Sequence, residues 1–115
     1  MVGNLVNGQV DADAPASLSK STVTDLLRGE LRWNGLVVTD DLQAAAITHA
    51  FGREDAIRMA LEAGDDVLLL ANQQTYDPDL VAHTIDSIAR LIRAGTVSEA
   101  RIDESYARVT AFAGG

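Results

Sequence analysis

Two short apolar runs without polar alternation stand out, Gly35-Leu-Val-Val-Thr39 and Asp66-Val-Leu-Leu-Leu-Ala71. Runs of this kind suit strands covered on both faces, as in a parallel sheet. Met1–Val6 (Met-Val-Gly-Asn-Leu-Val) is a weaker third candidate. Elsewhere the apolar spacing is helical. Val23, Leu26, Leu27 and Leu31 fall on one predicted face, with Ser19 or Ser21 available as cap. Ala56, Ile57, Ala60 and Leu61 form a second stripe, and Gly64 stands where a helix-ending glycine belongs. Val81, Ile85, Ile88 and Ile92 form a third, with Asp77 as N-cap, Pro78 at the first position and Gly95 past the end. A last helix is predicted from near Ser98, with Ile102, Tyr106 and Val109 on one side. The order is strand, helix, strand, helix, strand, helix, helix, an α/β chain with right-handed crossovers. The polar segment Asn7–Ser17 is long for a connection inside such a unit.

Three strands leave a parallel sheet with two open edges. A closed eight-fold barrel takes roughly 250 residues, about 31 per strand–helix unit. The 115 residues here therefore correspond to between three and four units. Two architectures fit: a small self-contained α/β domain, or the final part of a barrel. Either way, residues 1–115 form one unit that no linker or low-complexity tract divides. A barrel part is expected to be marginally stable alone and to self-associate through its sheet edges.

Composition narrows the function. With 47% hydrophobic and 23% charged residues, this is ordinary globular material. Nine basic residues against 17 acidic give a net charge of −8. That balance argues against a nucleic-acid or anionic-membrane binder. There is no cysteine, hence no disulfide or thiolate chemistry, and no metal-ligand spacing is evident, so neither metal nor cofactor is expected. No apolar run approaches the ~20 residues of a membrane-spanning helix. Met1 is not followed by the basic and apolar segments of a signal peptide, which leaves the compartment open.

Candidate chemistry sits at Thr39-Asp40-Asp41-Leu42, directly after a predicted strand. Carboxylates at the C-terminal end of a parallel strand lie on the face where α/β folds place their sites. Neighbours on an extended backbone point in opposite directions, so one of Asp40 and Asp41 can face a common centre while the other suits a cap. On these residues alone, a solvated or capping pair remains the competing reading. A small α/β phospho-acceptor signalling module would also need an aspartate at another strand end and a late lysine. The sole lysine is Lys20, at a helix entrance. An aspartyl-phosphate phosphatase needs Asp-x-Asp, whereas these two are adjacent.

Pro15-Ala-Ser-Leu-Ser19, Leu26-Leu-Arg-Gly-Glu-Leu31 and Gly35-Leu-Val-Val-Thr-Asp-Asp-Leu42 come first in an ordered set. Ala60-Leu-Glu-Ala-Gly64, Asp66-Val-Leu-Leu-Leu-Ala-Asn72 and Val97-Ser-Glu-Ala-Arg-Ile-Asp-Glu-Ser-Tyr-Ala-Arg-Val109 complete it. Together they resemble, over nearly the whole chain, the second half of the catalytic barrel of glycoside hydrolase family 3. The resemblance implies a partial (β/α)8 TIM barrel with strand six at Met1–Val6, strand seven at Gly35–Thr39 and strand eight at Asp66–Ala71. It implies a glycosidase of carbohydrate substrates, of the β-N-acetylglucosaminidase or β-glucosidase type, that retains anomeric configuration. It places the nucleophile on Asp40, whose carboxylate would form a glycosyl-enzyme that water then releases. Asn4 and Asn72, at the ends of strands six and eight, become substrate-binding candidates; Asn72 also suits a turn-stabilising role.

The chain departs from the family pattern in places. Asn4 stands where a histidine is usual, Gln43-Ala44 lack a methionine frequent in the N-acetylglucosaminidase branch, and Arg32-Trp33-Asn34 replace Gly-Phe before Gly35. The family's acid/base and most sugar ligands lie on earlier strands, which His49 and His83 do not match. His83 is expected on a helix surface and His49 in the segment after strand seven. The 115 residues alone are therefore expected to be inactive, and the alternative is a non-catalytic truncated remnant.

Overall fold

The computed structural model describes residues 1–73 and 76–114. It is an α/β chain. Strands β1 (Val38–Asp41) and β2 (Val67–Leu69) pair in parallel. On the other side of β1, Val2 makes a single parallel bridge to Thr39, its N–H donating to Val38 O and its carbonyl accepting from Asp40 N–H. β1 therefore lies between the Met1–Val6 segment and β2.

All three predicted strands are shorter than expected, and side chains explain where each ladder stops. Gly35 and Leu36 lie outside β1 because their carbonyls are already used. Arg28 Nη1 donates to Gly35 O and Trp33 Nε1 to Leu36 O, both at 3.0 Å. A Cβ at Gly35 would lie 2.5 Å from the Trp33 ring, so this tuck requires glycine. β2 ends at Leu69 because amides beyond it are taken by side chains at the end of β1 and in the loop after it: Ala71 N–H donates to Asp41 Oδ1 and Asn72 N–H to Gln43 Oε1. The Met1–Val6 segment leaves β1 at Asn4, whose N–H meets the Asp40 carboxylate instead of a backbone carbonyl.

The long connection Asn7–Ser17 is held by one carboxylate. Asp11 accepts from the N–H groups of Asp13 and Ala14 and from Ser19 Oγ. The Ser19 bond, followed by the Asp13 amide, keeps the Asp11 carboxyl below its ordinary range. The loop ends in a 3₁₀ turn at Ala16–Leu18, whose first two amides donate to Leu5 O and Gly3 O.

The helix Ser21–Glu30 is wound as a π-helix and continues into an i→i−5 bond from Leu31 N–H to Leu26 O. Ser19 serves its entrance by accepting from Thr22 N–H. The wider winding alters the angular step that the apolar spacing assumed. Val23 is fully buried and packs with Val37 and Ala63, but Leu31 is turned out, 66% exposed.

Helices α1 (Ala45–Thr48) and α2 (Arg53–Ala63) follow β1. The predicted α2 stripe is the inner wall: Ala56, Ile57, Ala60 and Leu61 are all buried. Gly64 ends the helix at φ 113°, where a Cβ would lie 2.8 Å from Thr24 Oγ1. No other residue fits that turn without moving its neighbour.

Helix α3 (Leu80–Arg93) starts two residues later than predicted, because Asp77 Oδ1 caps the preceding turn at Asp79 N–H. Its stripe is only half used. Ile88 packs with Ile57, Leu61, Leu91 and Val97, whereas Val81 and Ile85 stay exposed. Those two line a cavity of about 500 Å3 beside the outer edge of β2. Helix α4 (Glu99–Gly114) begins with Ser98 Oγ accepting from Arg101 N–H, as its sequence suggests. Of its predicted apolar side, Ile102 packs inward, while Tyr106 is 72% and Val109 37% exposed.

Polar contacts secure α4 instead. Arg101 donates to Leu61 O and Asp65 O, and Ser105 and Arg108 donate to Asp66 Oδ1. Asp66 Oδ2 takes Arg28 Nη2 at 2.6 Å and Val37 N–H at 3.0 Å. Burial alone would raise the Asp66 carboxyl, but Ser105, Arg108, Val37 and Arg28 outweigh it and hold it below its ordinary range. Asp65 is the opposite case. It is fully buried with neither carboxylate oxygen hydrogen-bonded, and burial pushes it up to about 8.

Two outcomes follow. Asp66→Ala strands Arg28 and Arg108 beside an emptied site, and should lower the unfolding free energy in a urea titration by about 3–5 kcal/mol. For Asp65 the native state holds a proton that the unfolded chain has released above pH 3.8. Its contribution therefore falls as pH rises from about 4 to about 8 and is flat above that. Asp65→Asn should flatten this slope and raise stability at pH 8 by about 2–4 kcal/mol. An unchanged slope would show that Asp65 is ionised in the folded chain.

Candidate active site at the strand ends

The C-terminal ends of Met1–Val6, β1 and β2 open on the same side, and Asp40 stands in the middle strand of the three. Its half-buried carboxylate is held between two backbone donors. Asn4 N–H reaches Oδ2 at 3.2 Å and Asp41 N–H reaches Oδ1 at 2.8 Å. Hydrogen bonds from N–H groups to an ionised acceptor are among the stronger ones in a protein, and backbone donors cannot swing away. The group is thus fixed in place while part of it stays open to solvent.

Asn4 is brought beside Asp40 but is itself engaged. Its Nδ2 donates to Asp41 O at 3.0 Å, and its Oδ1 accepts from Ser17 Oγ at 2.5 Å. Ser17 is fully buried. The Pro15-Ala-Ser-Leu-Ser19 segment thereby locks the end of the first strand against the loop that follows β1.

Asp41 turns away from Asp40 toward β2. Its Oδ1 accepts from Gln43 N–H at 3.0 Å and from Ala71 N–H at 3.1 Å. Adjacent aspartates thus face different neighbours, Asp40 the Asn4 strand and Asp41 the β2 end. Gln43, which the sequence reading treats only as a departure from a pattern, takes Asn72 N–H on Oε1 at 2.6 Å. Ser17 and Gln43 are the two positions that sequence reasoning missed. Each lies inside a stretch already singled out, but nothing in the spacing reveals its partner.

Asn72 is not brought to Asp40 by any hydrogen bond. It adopts φ 57° and forms a reciprocal pair with Asp77: Nδ2 donates to Asp77 O and Oδ1 accepts from Asp77 N–H, both at 2.8 Å. A short polar side chain tolerates this left-handed backbone better than most. A cavity of about 520 Å3 opens nearby, lined by Leu42, Gln43, Phe51, Arg53, Leu70 and Tyr76 among others, and Asp40 is not part of its wall.

His49 is exposed at the C-terminal end of α1. His83 lies on the surface of α3, its Nδ1 2.6 Å from Asp77 Oδ2. The sequence shows no metal-ligand spacing, yet the fold gathers Asp77, Asp79 and His83 with ligand atoms within 4.8 Å of one another. Asp77 Oδ2 is already shared by His83 and Arg53, and the His83 bond, followed by the Asp79 amide, keeps Asp77 below its ordinary range. The trio is explained as the ion pairing of a helix entrance. Among the described residues no helix is long and apolar enough to cross a membrane.

Residues 1–112 match the family profile described as the glycosyl hydrolase family 3 N terminal domain. A beta-hexosaminidase of Mycobacterium tuberculosis, LpqI, is 34% identical over 99% of this chain and 29% of its own length. A lysosomal beta glucosidase of Dictyostelium discoideum is 34% identical over 90% of this chain and 12% of its own. Among solved structures, the beta-N-acetylhexosaminidase of Beutenbergia cavernae superposes with a TM-score of 0.81 at 36% identity, over 97% of this chain and 32% of that one. The chain thus spans about a third or less of the length of these proteins. Its own residues carry the likeness from one end to the other, and the chain belongs to the glycosyl hydrolase family 3 N-terminal domain family.

Proposed function

We propose that residues 1–115 are strands six to eight, with their helices, of a family 3 (β/α)8 barrel, and that Asp40 is the nucleophile of a retaining glycosidase acting on β-linked hexosaminides or glucosides. One observation carries the reading: in a chain of this family, a half-buried carboxylate stands at the C-terminal end of the central strand, clamped by two backbone N–H groups. Family membership supports glycoside hydrolysis, and the sugar types follow from the relatives' names.

In this reading the chemistry runs through Asp40. Asp40 Oδ2 or Oδ1 attacks the anomeric carbon as the glycosidic bond breaks, and the pair of bonding electrons leaves with the aglycone oxygen. A positioned carboxylate first stabilises the oxocarbenium charge and then forms the ester. Asn4, Ser17 and Asp41 hold the strand ends that aim it. Protonation of the leaving oxygen needs an acid beside Asp40. Neither described histidine bonds to Asp40, and in this reading the 115-residue chain alone should show no turnover.

The decisive test uses a chimera in which this chain replaces the matched third of the Beutenbergia cavernae enzyme. Asp40→Asn should cut turnover of an aryl β-glycoside by about three to six powers of ten, on the order of 4–8 kcal/mol at ~1.4 kcal/mol per tenfold, with folding intact. Asp41→Asn should lose much less, or lose stability along with activity, because its amide Oδ1 still accepts from Ala71 and Gln43 N–H but without the charge that strengthens those bonds. A 2-fluoro sugar that traps the glycosyl-enzyme identifies the nucleophile directly. Label on any other residue sinks the assignment.

The barrel reading also has a physical outcome for the 115-residue chain. The outer edge of β2 has no strand beside it among the described residues, and Val81 and Ile85 are exposed next to it. Unpaired edges of this kind recruit other chains. Size-exclusion chromatography should show concentration-dependent oligomers and thermal unfolding should be broad. A sharp transition from a monodisperse monomer would count against the barrel assignment.

A further inference from the structure

The pairing of β1 with β2 slips by one residue between Val38 and Asp41. Val38 is opposite Val67, but Asp41 is opposite Leu69, so β1 spends one more residue than β2 between the two pairs. Thr39 and Asp40 occupy the irregular stretch. There each neighbouring strand donates an amide to a side-chain oxygen of β1, where a regular ladder uses a carbonyl. On the β2 side, Leu69 N–H donates to Thr39 Oγ1 at 3.0 Å, and regular bonding resumes with Leu42 N–H to Leu69 O at 2.9 Å. On the other side, Asp40 N–H donates to Val2 O at 2.9 Å, and the next amide of that strand, Asn4, donates to the Asp40 carboxylate.

These substitutions belong together. In a regular parallel ladder the Asn4 amide would fall on the Asp40 carbonyl. At this irregularity the Asp40 carboxylate takes that amide instead. Bulges do this when they re-aim a side chain. Opposite this stretch on the partner strand is the Leu69 amide. The Thr39 hydroxyl supplies its acceptor, and Thr39 is fully buried, so no water can substitute.

We infer that Thr39 is a positioning residue for Asp40: its hydroxyl stabilises the bulged register in which the Asp40 carboxylate takes the Asn4 amide. The inference rests on the reading of Asp40 as the nucleophile for its functional meaning, but the geometry it asserts is testable without turnover. Thr39→Val keeps the shape and removes the acceptor. Leu69 N–H must then find a backbone carbonyl, which draws β1 toward the regular register and releases the carboxylate. Thr39→Ser keeps the hydroxyl and the register.

The test is amide NMR of the 115-residue chain over the acidic range. In the unsubstituted chain, the Asn4 amide proton should shift as Asp40 ionises, and Asp40→Asn should abolish that shift. Thr39→Val should reduce it to less than about a third and raise Leu69 amide exchange at least about tenfold, while Thr39→Ser keeps both near their original values. A folded Thr39→Val chain whose Asn4 amide still follows Asp40 in full would overturn the inference. So would an Asn4 amide indifferent to Asp40 in the unsubstituted chain, a measurement that needs no Thr39 variant to fold. In the chimera, Thr39→Val should lower kcat at least about tenfold with little change in KM, and Thr39→Ser should restore it. Equal losses in the two variants would also overturn it. Failure of the nucleophile reading shows separately, as retained turnover in Asp40→Asn.

Discussion

The Asp66 carboxylate is the joint on which this chain closes. With its side chain fully out of solvent, it takes Arg28 from the π-helix, Val37 N–H at the foot of β1, and Ser105 and Arg108 from α4. None of those elements has a large apolar face of its own. Among the described residues Ser105 is the one buried residue of α4 and Val23 that of the π-helix. A small apolar core can be shared among many elements only if something directional fixes their angles, and a fully satisfied ionic group does that. Its neighbour Asp65 shows the cost of the same location without partners.

Much of the architecture is written in the apolar pattern. The α2 stripe, the Gly64 and Gly95 stops, the Ser98 start and the parallel order of the strands can all be read from residue type and spacing. What the pattern conceals is where side chains replace backbone partners. Strand lengths depend on Trp33, Arg28, Asp41 and Gln43 taking over ladder groups, and hydropathy carries no trace of this. Leu31 faces outward because the helix before it is wound more widely than the spacing assumes. Val81 and Ile85 obey the helical period yet face a cavity, because periodicity says which face is apolar and not what covers it.

The site divides in the same way. The Asp40–Asp41 pair stands out from the sequence because carboxylates after an apolar strand are conspicuous; the alternation of an extended chain says that the two differ in role, and only the family resemblance says which is which. Asn4 and Asn72 were recognisable as polar groups at strand ends, but not their engagement. One is bonded at both ends of its amide to Ser17 and Asp41, and the other closes a turn with Asp77. The Asn4 pairings span 13 and 37 residues and the Asn72 pairing five, and each is set by the folded backbone and not by residue type.

The single carboxylate of Asp11 has a further consequence. By binding two nearby amides and the Ser19 hydroxyl, it converts one long connection into two short closed arcs. The entropy of closing a flexible segment is thereby met locally, and the chain arrives at Ala16–Leu18 with little freedom left. Ser17 lies in that turn and holds Asn4. Mechanical stiffness at the strand ends is thus imported from a loop that makes no hydrogen bond to Asp40. Sequence drift at the Gly8–Val10 tip leaves that stiffness alone, whereas drift at Asp11 would reach the site through Ser17.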